Sequence, residues 1–221
     1  GGNNSTFTCR SVSSTGTDTY SAIAAAVGSL KGPKHGGANR QVLAQFSLIK
    51  QTVRDWKDDD AVADCVGRIL RRELGDGSGL IYGMGHAVYT LSDPRTVILR
   101  KSARTLAAQR GMLDELELME AVERVTPRVF AEITGHEKVM CANVDMYSGL
   151  IYQMLDIPPD LFTPLFAVAR ITGWCAHRME EVLTGGRLYR PAYKSLTRHR
   201  EYIPMAARTY RKNPLPAEKR D

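Results

Sequence analysis

Long apolar runs and paired cysteines are both missing from this 221-residue chain. No apolar stretch reaches the ~18 residues that a bilayer-spanning helix needs, so the sequence predicts neither a membrane segment nor a signal peptide. The four cysteines (Cys9, Cys65, Cys141 and Cys175) are far apart and form no CxxC pair. This spacing disfavours a zinc site or a disulfide framework. It is typical of buried thiols in a reducing compartment, and it predicts a cytoplasmic protein.

A clustered basic face with interleaved aromatic residues is also absent. The net charge is +6 and the isoelectric point is about 9.2, but only 7% of the residues are aromatic. Apart from Arg198–Arg200 and the C-terminal tail, the basic residues are scattered along the chain. This distribution argues against a nucleic-acid-binding domain, and it fits anionic small molecules at least as well.

No segment alternates apolar and polar residues as a strand would, so the sequence predicts an all-α fold. The clearest helical period places Val42, Phe46, Ile49, Val53 and Trp56 on one buried face. Pro127 should bend or break the helix that contains it. The predicted helices are Thr17–Leu30, the segment carrying the Val42 period, the segment after Asp58–Asp60, Asp93–Arg110, Leu113–Thr134, the segment ending at Leu155, and Leu161–Thr184.

The most unusual stretch is a glycine loop. Gly83 and Gly85 flank Met84, so the backbone can adopt positive φ or let a ligand approach closely. His86 follows, and Arg95 comes just after an Asp-Pro pair that is typical of a helix start. Such a loop beside a histidine, an arginine and a helix N-terminus favours an anionic ligand with a carbonyl group. The alternative is a tight turn with a surface histidine and a helical arginine.

Acidic residues occur twice where chemistry and helix capping compete. Asp58–Asp60 lack a histidine or aspartate partner at ligand spacing, so we interpret them as helix N-terminal charge rather than a metal site. Asp145 lies between Val144 and Met146, where Asn143 or Asp145 could cap a helix. If Asp145 is partly desolvated instead, its raised pKa would make it a competent base.

Together these stretches resemble the citrate synthase family. One segment is similar to the family's "GPLHGxAN", the glycine loop and Asp-Pro-Arg to "GxGHxVY…DPR", and a third segment to "NVDxxSG". Shorter matches resemble "NxSTFT" and the "YVP" ending, and they run in order along nearly the whole chain. The matching stretches are Asn3–Cys9, Lys31–Asn39, Gly83–His86, Asp93–Arg95, Asn143–Gly149, Leu161–Arg170, Arg190–Pro191 and Tyr202–Pro204.

The resemblance implies the condensation of acetyl-CoA with oxaloacetate, followed by hydrolysis to citrate and CoA, as in the tricarboxylic acid cycle. It implies that His35 donates a hydrogen bond to the thioester carbonyl, that Asp145 removes a methyl proton and that His86 binds the oxaloacetate carbonyl. Other implied roles belong to substrate binding. Arg95 and Arg170 would hold the carboxylates, Arg190 would do so from the neighbouring subunit of a homodimer, and Gly83, Met84 and Gly85 would lie along the adenine nucleotide.

These roles are chemically reasonable. A thioester α-proton is weakly acidic, so a base needs a donor that stabilises the enolate oxygen while it acts. Planar guanidinium groups match the two carboxylates of oxaloacetate bidentately. Closure of one domain over the other would position the two substrates. The resemblance implies no metal and no cofactor other than the CoA thioester itself.

The resemblance covers only the C-terminal portion of the family's length. It implies a complete small helical domain at 37–156, with large-domain segments at 1–36 and 157–221. The long N-terminal helical region and a second oxaloacetate-binding histidine have no counterpart here, which predicts a truncated and weakly active or inactive piece. Thr90 stands where some members carry a CoA-binding arginine; Lys34, Arg100 or Lys101 could replace it.

Four alternative functions remain. A 2-methylcitrate synthase would use propionyl-CoA with the same residues, and one methylene is worth only ~1–3 kcal/mol of discrimination. A citryl-CoA lyase module would run the chemistry backwards. A non-catalytic helical interaction module would not bind CoA. A basic nucleic-acid-binding domain would need the clustered face that the sequence lacks.

Overall fold

The computed structural model describes residues 2–86, 89, 93–136, 140–192 and 201–208. Within these ranges the chain forms helices and no named strand, which confirms the all-α prediction. The helices are α1 (Asn4–Ser13), α2 (Thr19–Leu30), α3 (Ala38–Thr52), α4 (Asp59–Leu70), α5 (Pro94–Arg110), α6 (Leu113–Thr134), α7 (Val144–Met154) and α8 (Phe162–Thr184), with a 3₁₀ turn, Pro159–Leu161, before α8.

Side-chain caps fix where several helices begin. Asp93 caps α5 with Pro94 at its first position, and Asp58 caps α4 by accepting from the Asp60 and Ala61 backbone N–H groups. Both outcomes confirm the predictions. Asn143, rather than Asp145, caps α7 because its side chain accepts from the Asp145 N–H at 3.0 Å. The Asp145 carboxylate therefore has no capping role.

Two separate clusters of buried side chains form the core. The larger cluster draws on α3 to α7 and includes Val42, Ile49 and Tyr147. The smaller cluster packs Cys9 of α1 and Leu30 of α2 against Trp174 of α8. The predicted face of α3 is confirmed except at its end. There the helix stops at Thr52, and Trp56 packs on the core from the following turn.

The structure refines the helix predictions at two points: α6 does not break at Pro127, which leaves the predicted bend as the alternative, and one residue of the predicted α5 face is exposed. α6 continues through Pro127 without a break, because Val125 and Val129 are buried on either side of it and hold the helix against the core. In α5 the sequence predicts Val97, Leu99, Ala103 and Leu106 on the apolar face, but Val97 is 55% exposed. The buried face is formed by Thr96, Ala103 and Ala107, which recur at seven- and four-residue steps. α5 packs against both α6 and α7.

The chain divides into two compact units, Gly1–Tyr189 and Arg190–Asp221. The second unit is described only for 190–192 and 201–208. It contains a 3₁₀ turn, Met205–Ala207, and the Arg208 guanidinium lies over the Tyr202 ring. Thr90, Arg198–Arg200 and the tail after Arg208 lie outside the described residues. In the described part of the chain, no helix combines the length and apolar character needed to cross a lipid bilayer.

Candidate active site

His35 lies on the turn between α2 and α3, facing the start of α1. Gly36 allows this tight turn because its backbone N–H donates to the Leu30 carbonyl, and a Cβ at Gly36 would lie 2.6 Å from that oxygen. The His35 Nε2 atom lies 3.1 Å from Ser5 Oγ and 3.3 Å from the Nη1 atom of Arg170. The turn therefore places His35 in contact with α1 and α8.

The contacts of His35 determine its tautomer. Nε2 accepts from the Ser5 backbone N–H at 3.4 Å, and the nearby Arg170 group can only donate. The neutral ring consequently carries its proton on Nδ1. Burial, and then the positive charge of Arg170, lower the pKa of His35, so the ring is neutral near pH 7. A neutral histidine with Nδ1–H is a hydrogen-bond donor that keeps its proton.

Arg170 is held in place from several directions. Its Nη1 atom donates to Ser5 Oγ at 3.2 Å and to Asn3 Oδ1 at 3.4 Å. The guanidinium also lies over the Phe166 ring, 4.4 Å from the centroid. Burial lowers the pKa of Arg170, but its ordinary value is so high that the group remains charged. Arg170 is thus a fixed cation.

His86, Asp93 and Arg95 form a second group at the start of α5. The Tyr89 backbone N–H donates to His86 Nδ1 at 3.0 Å, so the neutral His86 ring carries its proton on Nε2. Asp93 accepts from Arg95 Nε at 3.0 Å and from Arg95 Nη2 at 2.7 Å. The His86 Nε2 atom lies 3.8 Å from Asp93 Oδ2 and 3.4 Å from Arg95 Nη2.

The glycine loop connects this second group to α7. Gly83 and Gly85 both have positive φ, 87° and 90°, as the sequence predicted. The loop pairs with the strand-like residues before α7: the Gly85 N–H donates to the Cys141 carbonyl at 2.8 Å, and the Asn143 N–H donates to the Gly83 carbonyl at 2.9 Å. A Cβ at Gly83 would lie 2.8 Å from Met146 Sδ, so only glycine allows this close packing.

Asp145 lies in the first turn of α7, half-buried, where the charges of Arg95 and Arg170 act on it. Burial raises the pKa of Asp145 to about 6, partly offset by the positive charges of Arg95 and Arg170. Arg95 Nη2 lies 3.4 Å from His86 Nε2 and Arg170 contacts His35, so each of the two arginines that act on Asp145 also lies beside one histidine. A carboxylate with this pKa is ionised near pH 7 yet more basic than an ordinary aspartate.

Most of the predicted site residues belong to the first unit, Gly1–Tyr189. Arg190 belongs to the second unit, so its predicted role stays a prediction. Arg100, one candidate to replace Thr90 in CoA binding, donates to Glu123 at 2.6 Å and lies over the Tyr147 ring, so its guanidinium is committed to those two partners.

The sequence analysis missed Ser5, Tyr89 and the hydrogen bonds of Asp93. The only local signal for Ser5 was its place in the first turn of a helix, two residues after the capping residue Asn3.

The arrangement pairs a base with hydrogen-bond donors and cations. Asp145 can accept a proton, His35 and His86 can donate to carbonyl oxygens, and Arg95 and Arg170 can bind carboxylates. In the described residues, no group of three or more His, Cys, Asp or Glu side chains gathers to hold a metal ion. The site therefore suits proton removal next to a carbonyl, with an anionic second substrate.

Comparison with protein families identifies relatives. A family model described as "Citrate synthase, C-terminal domain" matches residues 1–192. The chain is 42% identical over 209 residues to the citrate synthase of Synechocystis sp., covering 93% of this chain and 48% of that protein. It is 39% identical over 209 residues to 2-methylcitrate synthase 1 of Corynebacterium glutamicum, covering 94% of this chain and 49% of that protein.

Solved structures give the same result. The chain is similar to citrate synthase from the archaeon Thermoplasma acidophilum in ternary complex with carboxymethyl coenzyme A and oxaloacetate. The TM-score is 0.72 at 31% sequence identity, covering 93% of this chain and 51% of that one. The chain thus spans about half the length of the curated relatives and solved structures that it matches.

Proposed function

The chain belongs to the citrate synthase family, and we propose that it carries the acyl-CoA and oxaloacetate chemistry of a citrate synthase. One observation carries the proposal: the charges of two arginines act on the buried Asp145, and one of them lies beside His86 while the other contacts His35. A base, two carbonyl-directed donors and two carboxylate-binding cations are the groups that a condensation of acetyl-CoA with oxaloacetate requires.

The first step is removal of a proton from the acetyl methyl group. The ionised Asp145 carboxylate takes this proton while His35 Nδ1–H donates to the thioester oxygen. The bond from the Ser5 N–H to Nε2 supports this role because it keeps the imidazole proton on Nδ1. Negative charge that develops on the oxygen is therefore met by a donor that is already oriented.

The second step joins the two substrates. The enol carbon attacks the carbonyl carbon of oxaloacetate, and His86 Nε2–H donates to the oxygen that becomes a hydroxyl. Arg95 and Arg170 would hold the two carboxylates so that the carbonyl faces the enol. Hydrolysis of the resulting thioester gives citrate and CoA. The loop of Gly83, Met84 and Gly85 would lie along the adenine nucleotide of CoA, and the space beside Gly85 is open to a ligand that approaches closely.

The two buried clusters support a proposed division into domains. We propose a small domain at 37–156 and large-domain segments at 1–36 and 157–221. His35 and Arg170 belong to the proposed large-domain side, whereas His86, Arg95 and Asp145 belong to the small domain. Closure of one part over the other would bring the substrates together and exclude water. The four free thiols fit a proposed cytoplasmic location.

The proposed function is tested by measuring which acyl-CoA thioesters the full-length protein uses. We expect release of CoA thiol from acetyl-CoA that depends on oxaloacetate. Because a single methylene separates the two thioesters, kcat/KM for propionyl-CoA should be lower by about 10- to 200-fold. A reversed ratio would identify a 2-methylcitrate synthase, a function also present among the relatives. Absence of turnover with both thioesters would contradict the proposal.

We also propose that Arg190 completes the oxaloacetate site of the neighbouring subunit in a homodimer. If so, mixing Arg190→Ala with Arg95→Ala subunits should restore activity, because each mixed dimer contains one intact site. Random exchange makes half the dimers mixed, so about a quarter of wild-type activity should return. Mixing Arg170→Ala with Arg95→Ala is the control and should restore none. No recovery in the first mixture would place Arg190 in its own subunit's site.

A further inference from the structure

Asp93 differs from the other aspartates that cap helices in this chain. Asp18 and Asp58 cap α2 and α4 from exposed positions, and their oxygens accept from the next few residues only. Asp93 is 1% exposed. Its carboxylate accepts one capping hydrogen bond, from the Arg95 backbone N–H at 3.0 Å. It also accepts hydrogen bonds from the Arg95 side chain, and one of its oxygens faces His86.

The two carboxylate oxygens of Asp93 have separate partners. Oδ1 accepts from the Nε atom of Arg95 at 3.0 Å, and Oδ2 accepts from its Nη2 atom at 2.7 Å. Oδ2 also lies 3.8 Å from His86 Nε2, the ring nitrogen that carries the proton when the Tyr89 N–H donates to Nδ1. A single buried anion is therefore shared by the two groups that would meet oxaloacetate.

The hydrogen bonds from Arg95 to Asp93 prepare Arg95 to bind a carboxylate ligand. The side chain of Arg95 is half exposed, and an exposed arginine that is not held loses rotamer freedom when a ligand binds. Asp93 holds one edge of the guanidinium through Nε and Nη2, which fixes the plane of the group in advance. The hydrogen bonds from Arg95 hold the pKa of Asp93 below its ordinary value, so the carboxylate remains charged.

We propose that Asp93 is a positioning residue for oxaloacetate, which orients the Arg95 guanidinium toward a 2-oxo dicarboxylate and places a negative charge beside His86 Nε2. The proposal rests on the proposed function, since it assigns Arg95 and His86 to that substrate. Asp93 does not touch the reacting atoms. It acts through its two neighbours: its hydrogen bonds fix the direction of Arg95 before the substrate arrives, and its charge acts on His86 from 3.8 Å.

The same carboxylate acts on the proposed base at a distance. Four charged or titratable side chains influence or are influenced by Asp145: Asp93 and Arg95 at the start of α5, Arg170 on α8, and Tyr152 on its own helix. The two arginines lower the pKa of Asp145, whereas the negative charge of Asp93 raises it. Loss of that charge should lower the pKa of Asp145.

The test is Asp93→Asn in the full-length protein, with Asp58→Asn as a matched control. Asparagine caps a helix as well as aspartate does, so α5 should keep its start. Its amide NH₂ would face Arg95 Nη2, donor against donor, and would release the guanidinium. We expect KM for oxaloacetate to rise about tenfold to a hundredfold. We also expect KM for acetyl-CoA to stay unchanged and the acidic limb of the kcat/KM profile to move to lower pH.

The outcomes separate this proposal from the proposed function. Asp58→Asn should leave both KM values and the pH profile as in the wild type, since Asp58 is an exposed cap far along the sequence from the site. If Asp93→Asn gives the same result as Asp58→Asn, Asp93 is only a cap and the proposal is wrong while the enzyme assignment stands. If the wild type shows no turnover, both fail. Should Asp93→Asn not fold, Asp93→Ser repeats the test with an uncharged capping side chain.

Discussion

Asp145→Asn should lower the rate of proton exchange from the methyl group of acetyl-CoA by about 10²–10⁴-fold. Asparagine is nearly the same size but cannot accept the proton, so binding of oxaloacetate should change little. Exchange of methyl protons with deuterated water, followed by NMR in the presence of oxaloacetate, measures this step directly. The matched control is Asp156→Asn, which changes an exposed aspartate just after the same helix. Its exchange rate should equal that of the wild type.

Thermal stability distinguishes a base from a structural residue at this position. Burial raises the pKa of Asp145 to about 6, so the folded protein binds this proton more tightly than the unfolded chain. Ionisation of Asp145 therefore costs stability as pH rises through the interval between its ordinary pKa and about 6. Above that interval, Asp145→Asn should leave the Tm unchanged or raised. A lower Tm with normal exchange would mean that Asp145 supports the fold and not the reaction.

His35→Ala should slow the same exchange by about 10²–10³-fold, because the enolate oxygen loses its only oriented imidazole donor. The alanine leaves the Ser5 N–H and Arg170 without their shared acceptor, but Arg170 keeps its bonds to Asn3 and Ser5. Oxaloacetate affinity, measured by calorimetry, should therefore fall far less than the exchange rate. His136→Ala, at the exposed end of α6, is the control. Normal exchange in His35→Ala would remove His35 from the reaction.

Local sequence signals determined the helices and several of their ends. Asp93-Pro94 and Asp58 mark helix starts through backbone rules that act within a few residues. These positions were predicted correctly for that reason. The buried face of α5 was predicted only in part: Ala103 is buried and Leu99 and Leu106 pack against the core, whereas Val97 is exposed. The burial of Thr96 and Ala107 depends on the helices that contact α5, which no local pattern encodes.

The candidate site, like the helices, was predictable from the sequence only in part. The resemblance to a family named His35, His86 and Asp145 as a set, but the sequence alone could not state their protonation. The proton position on His35 depends on Ser5, thirty residues away, and on Arg170, 135 residues away. Asp93 was predicted as a cap, and its position 3.8 Å from His86 Nε2 was not predicted. Contacts between residues far apart in the sequence, such as those of His35, therefore determine the protonation of the site.

A crystal structure of the full-length protein with oxaloacetate and carboxymethyl coenzyme A would test the central claim most directly. The account predicts both ligands in one cleft. The carboxymethyl group should lie within about 2.6–3.2 Å of His35 Nδ1 and of the Asp145 carboxyl group, with His86 Nε2 on the oxaloacetate carbonyl oxygen. Ligands bound elsewhere, or His35, His86 and Asp145 facing no common ligand, would contradict it.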